Sequence, residues 1–145
     1  MLDKEILNLN ILKNKKFDKK VFVPFGKLSI NFLLDFSKEL RKYKKINLYP
    51  DLIYLMFWCN KSKRFYKDTN KNLRLGRGLI FHVCPSNVPT NFIYSFFFGL
   101  LSGNSNIVKI PSKHFKEKNI ILSIIKLLFN KTKYKKFKNL NFFIE

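Results

Sequence analysis

From Leu79 to Val108 the chain carries no Lys, Arg, Asp or Glu, so the polar groups in and beside that stretch are the ones whose types invite chemistry. Cys84 offers a thiol, but the thiolate is the reactive form, and apolar flanks raise rather than lower a thiol pKa. No base is spaced to activate it. Cys84 and Cys59, the latter among aromatic neighbours, therefore read as reduced, structural cysteines. His82 and His114 lack ligand spacing with any cysteine or carboxylate pair, which argues against a metal. Asn87 offers a neutral amide donor between Pro85 and Pro89, whose rings restrict its backbone. The same residue type also suits the capping of a turn. Cations return at Lys109 and Lys113, on either side of Ile110, Pro111 and Ser112.

The elements that must position these groups follow from the apolar pattern. Leu79 to Val83 is short and β-favouring, and Pro85-Ser86-Asn87-Val88-Pro89 cannot extend a ladder because two of its residues lack an N–H donor. Thr90 or Asn91 can cap a helix that is apolar all round, which marks it as buried. Gly103 ends that helix. Asn106 to Ile110 forms a second strand, apolar without alternation, as in a parallel sheet covered on both faces. The unit is strand, helix, parallel strand, with the right-handed connection such units adopt. A ligand would then sit beyond the carboxyl ends of the strands, over Val83 to Asn87 and Lys109 to Lys113.

Flanking elements are weaker. Leu7 to Leu12 alternates like a strand, and Val21 to Phe25 is a further strand-like piece. Ser29 can cap a helix from Ile30 to about Lys42, and Pro50 can open another carrying Ile53, Met56, Phe57 and Trp58, with Asp51 near its positive end. Lys61 to Asn72 is polar and basic, a linker or surface helix. Ser112 can cap a third helix with Ile121, Ile124, Ile125 and Leu128 inward and Lys116, Lys118 and Lys126 in water. Leu140 to Ile144 starts a third strand. Gly76-Arg77-Gly78 is too short for a dinucleotide fingerprint.

PSNVP followed by an apolar helix, then GNSNIVK and PSK, resembles the aldehyde dehydrogenase pattern PWNFP…GN…K-PSE. Within that superfamily the chain is most similar to the long-chain acyl-CoA reductases of bacterial bioluminescence. Tyr49-Pro50-Asp51-Leu52 and Phe57-Trp58-Cys59 match that family's YPD…FWC region, and Gly78 sits where the superfamily carries a glycine entering its first strand. The resemblance covers about residues 22 to 145. It implies an α/β fold, namely the start of an aldehyde dehydrogenase-like, Rossmann-type nucleotide-binding domain (βαβαβ) at 73–145. A mainly helical segment, 1–72, precedes it.

The same resemblance implies an activity: reduction of a fatty acyl-CoA thioester to aldehyde with NADPH, through an acyl-cysteine intermediate. Asn87 matches the asparagine that the superfamily uses to stabilise the oxyanion. Pro85, Ser86, Lys109, Ser112 and Lys113 fall on its cofactor-binding positions. Ile110 intrudes where the superfamily has lysine directly before proline. Lys113 replaces a glutamate that would repel a 2′-phosphate, which is compatible with NADPH. The family's nucleophile lies beyond the last residue of this sequence, so the expectation is an N-terminal part, whether a fragment, a split gene product or a remnant, inactive alone. The implied partners are acyl-CoA or an acyl-enzyme and the remainder of the reductase chain, in an oligomer.

Composition sets the alternatives. The excess of 29 Lys+Arg over 9 Asp+Glu raises the possibility of a basic nucleic-acid-binding module. The cations are mostly lysines spread along both flanks, however, which reads as a bias acting on all surface positions. A noncatalytic subunit docking its open sheet edge on a partner is the other alternative. The apolar run from Phe92 to Leu101 is about half of the ~20 residues a membrane span needs. With charges at the amino terminus in place of a signal peptide, the expected compartment is the cytoplasm.

Overall fold

A computed structural model describes residues 20–64 and 74–145. The Leu7 to Leu12 piece and most of the Lys61 to Asn72 stretch lie outside the described residues. Helix α1 is Lys27–Arg41 and α2 is Pro50–Lys61. Strand β1, Leu79–Val83, leads through α3, Asn91–Leu101, to β2, Ser105–Lys109. Helix α4, Lys116–Phe129, and a short α5, Lys135–Lys138, then lead to β3, Asn141–Ile144. The three strands form one parallel sheet in the order β1-β2-β3.

The sheet has two unlike faces. Val108 and Phe143 point into a core that also takes in Phe32, Leu33 and Phe36 of α1, Leu52 and Leu55 of α2, Phe92 and Phe96 of α3, and Ile121 and Leu128 of α4. Aromatic rings meet edge to face across it: Phe36 with Phe97 at 5.0 Å and Phe96 with Phe143 at 5.0 Å, an arrangement that adds to simple burial. The opposite face carries the separate cluster Ile107, Phe142 and Ile144. On β1 that face is open, with Phe81 57% and Val83 66% exposed. The expectation of strands covered on both faces therefore holds for β2 and β3 and fails for β1.

Gly103 and Gly99 are required by geometry. Gly103 has φ +78° and ends α3: its N–H bonds to Leu100 O at 3.1 Å and that of Asn104 to Gly99 O at 3.1 Å, a paired closure of the last turn that needs a left-handed residue. Gly99 lets the helix approach the sheet, since a Cβ there would stand 2.0 Å from Asn106 Oδ1.

Several boundaries differ from expectation. Helix α1 starts at Lys27 after Gly26, with Ile30 N bonded to Gly26 O, and Ser29 is buried inside it instead of capping it. The inward face of α2 is Leu52, Leu55, Met56 and Cys59, and Phe57 is exposed. A helix apolar on every side carries no periodic signal to say which side turns in. Helix α4 starts at Lys116 with Phe115 in the cap position, three residues later than a Ser112 cap would set.

Candidate functional site

The register sets Val83 opposite Lys109 and Lys109 opposite Ile144. The residues that follow each strand therefore leave the sheet side by side at its carboxyl end. After β1, Ser86 and Asn87 lie in a turn, with Pro85, Ser86 and Asn87 all exposed. The helix that follows begins after Thr90, whose carbonyl accepts from Ile93 N and Tyr94 N, each at 3.2 Å. Thr90 occupies the cap position without a side-chain bond. No side-chain partner orients the Asn87 amide among the described residues, so it faces solvent as a free donor and acceptor.

After β2, Lys109 is exposed and Ile110 is buried, its N–H bonded to Ile144 O at 2.8 Å. Ser112 and Lys113 are exposed. Lys113 Nζ lies 5.4 Å from the centre of the Phe115 ring, a cation–π contact. The structure thus brings the two loops expected to bind a ligand, Pro85 to Asn87 and Lys109 to Lys113, to one end of the sheet. Lys109 and Lys113 are the cations there that reach solvent and could hold a phosphate.

Lys118 departs from expectation. It is 4% exposed instead of facing water, and its ammonium donates to Pro111 O at 2.9 Å. Glu145 Oε1 is 4.0 Å from it. The signal was in the spacing: residues 118, 121, 125 and 128 form one inward helical stripe, and the charge of the lysine masked its place on it.

Toward the amino ends of β2 and β3, polar side chains cross the sheet. His82 Nε2 meets Asn106 Oδ1 at 2.8 Å and His82 Nδ1 meets Ser95 Oγ at 2.7 Å. Asn106 Nδ2 donates to Asn104 O at 2.9 Å and to Asn141 Oδ1 at 2.6 Å, and Asn141 Nδ2 donates to Phe137 O at 2.8 Å. With Asn106 so oriented, the ring proton sits on Nε2 and Ser95 donates to Nδ1. Burial pushes the His82 pKa below its ordinary value, against the opposing effect of the Asn106 bond.

Cys59 is fully buried and its thiol pKa is pushed well up by desolvation, the opposite of nucleophile activation. Cys84 is half-buried, with Sγ 3.8 Å from Asn91 O. Among the described residues, no group of three or more His, Cys, Asp or Glu could hold a metal, and no helix is long and apolar enough to cross a membrane.

A parallel α/β sheet with two loops, one of them lysine-bearing, gathered at its carboxyl end defines the class: an open α/β protein, a kind of sheet in which ligands bind outside the carboxyl ends of the strands. The model of the acyl-CoA reductase (LuxC) family matches residues 58–136, a span that includes both loops. The chain belongs to that family. No curated protein and no solved structure matches it.

Proposed function

We propose that the chain supplies the cofactor-side elements of an NADPH-dependent acyl-CoA reductase that converts a fatty acyl thioester to an aldehyde. The observation that carries this reading is the side-by-side exit of Pro85 to Asn87 and Lys109 to Lys113, both within the residues matched by the family. Lys109 and Lys113 are exposed cations and suit an anionic nucleotide; Lys113 would face the 2′-phosphate, and Ser112 and the turn at Pro85 and Ser86 would contact the rest. When bound, NADPH supplies the hydride. Asn87 would donate its amide to the oxyanion formed when a cysteine attacks the thioester carbonyl. That cysteine is neither Cys59, whose buried thiol resists ionisation, nor Cys84, which no base accompanies among the described residues. The assembly would be an oligomer acting in the cytoplasm.

Titration of the chain with NADPH and NADH, followed by nicotinamide fluorescence, tests the cofactor half of the proposal. NADPH should bind the more tightly, and Lys113→Glu should weaken it by about tenfold or more through like-charge repulsion. The catalytic half is tested by mixing the chain with a polypeptide that carries the reductase cysteine and measuring aldehyde release from acyl-CoA. Asn87→Ala should lower kcat by roughly 100-fold. A chain that binds neither dinucleotide, or one that reduces acyl-CoA unaided, would overturn the reading.

A further inference from the structure

We infer that Lys118 is a positioning residue for the cofactor loop, holding Ser112 and Lys113 in place through the carbonyl of Pro111; this rests on the proposed cofactor reading. A lysine buried on the inward stripe of a helix is costly for folding unless its charge is compensated. An apolar side chain of the same length would serve the core as well. What the ammonium does there is specific. It donates to Pro111 O at 2.9 Å, with the Glu145 carboxylate 4.0 Å away, and so ties the loop after β2 to the residue after β3.

The position of that bond matters. The ring of Pro111 locks its φ, and a carbonyl held by Lys118 locks its ψ. One residue earlier, Ile110 N–H is bonded to Ile144 O at 2.8 Å. Two successive residues are thereby immobilised just before the exposed Ser112 and Lys113. The direction in which these two side chains leave the sheet is set by Lys118, which does not itself reach solvent. Long lysine side chains on an otherwise mobile exit loop gain selectivity for a phosphate only when their backbone is fixed beforehand.

The test compares the wild-type chain with Lys118→Met, which keeps the apolar stem, and Lys118→Arg, which keeps a cationic donor. Backbone amide order parameters of Ser112 to Phe115 should fall from the range of rigid backbone to below about 0.6 in Lys118→Met. Order parameters in β1 to β3 and the melting temperature should stay close to wild type. The preference for NADPH over NADH should fall by about tenfold, and Lys118→Arg should recover most of it. In a Lys113→Ala background, Lys118→Met should cause no further loss of that preference, whereas general loosening of the fold would still lower binding of both dinucleotides. Unchanged order parameters at Ser112 to Phe115 in Lys118→Met overturn the proposal, as does a loosened loop with the NADPH preference intact. If the wild-type chain binds neither dinucleotide while the loop still loosens in Lys118→Met, the positioning bond stands and the cofactor reading is what fails.

Discussion

His82 joins β1, α3 and β2 through polar atoms, and its ionisation is set by that position. Burial lowers its folded pKa below the ordinary 6.5, outweighing the contrary effect of Asn106. As pH falls, the unfolded chain therefore takes up the proton first, and stability drops as this happens. The contribution is fully present above about 6.5 and is lost as pH falls toward the depressed folded value. Urea unfolding between pH 7.5 and 5 should show this loss, and His82→Gln should flatten it in that window. Asp35 and Glu39 titrate lower and would leave the window untouched. For Asp35, burial raises the pKa, but hydrogen bonds from Lys133 and Tyr134 outweigh it and hold the carboxyl below 3.8. For Glu39, the Lys42 bond leads in holding it below 4.5. An identical slope in His82→Gln would mean that His82 is not buried neutral.

At the scale of elements, the joint between α3 and β2 does more than end a helix. Asn104, buried just after the left-handed Gly103, accepts from Arg77 N at 2.6 Å and from Gly78 N at 3.2 Å. One side chain thus satisfies two backbone donors at the entry to β1, on the far side of the helix in sequence. Asn104→Ala would leave both without an acceptor, and Gly78 is buried. The loss should be about 2–4 kcal/mol by urea denaturation, since orphaned buried donors cost more than a made bond gains. Asn104→Asp, which keeps the acceptor, should lose less; equal losses would assign the effect to packing. This joint also shows what was legible beforehand. Strand β1 was read to the residue, and β2 and β3 to within one, because short apolar runs between Pro, Gly and Asn leave little choice. The end of α3 was legible because only glycine closes that turn cheaply. The start of α1 and the inward face of α2 were not, because the Gly26 cap is a backbone event and α2 is apolar on all sides. The two site loops were legible as loops through their prolines, whereas the burial of Lys118 depends on a carbonyl seven residues away that no local pattern shows.

For the whole molecule, the balance of 29 basic against 9 acidic residues makes self-repulsion a term in its stability. Two of the few carboxylates are used to tie α1 to the segment after α4: Lys131 reaches Glu39 at 3.1 Å, and Lys133 and Tyr134 both donate to Asp35. Salt weakens these pairs, but exposed and half-exposed pairs contribute only about 0–1 kcal/mol each. Repulsion among a net +20 charges acts over many more pairs, and it is long-ranged at low salt, where the screening length is roughly 30 Å at 10 mM against about 8 Å at 150 mM. The sum therefore favours stabilisation by salt. The melting temperature at pH 7.5 should rise by several degrees between 10 and 300 mM sodium chloride, with most of the gain below about 150 mM, where the screening length shrinks fastest. A melting temperature that falls with salt would show instead that the ties from Lys131 and Lys133 to α1 outweigh the repulsion. In that case Asp35→Asn should remove the fall, because it takes away the acceptor on which Lys133 and Tyr134 converge.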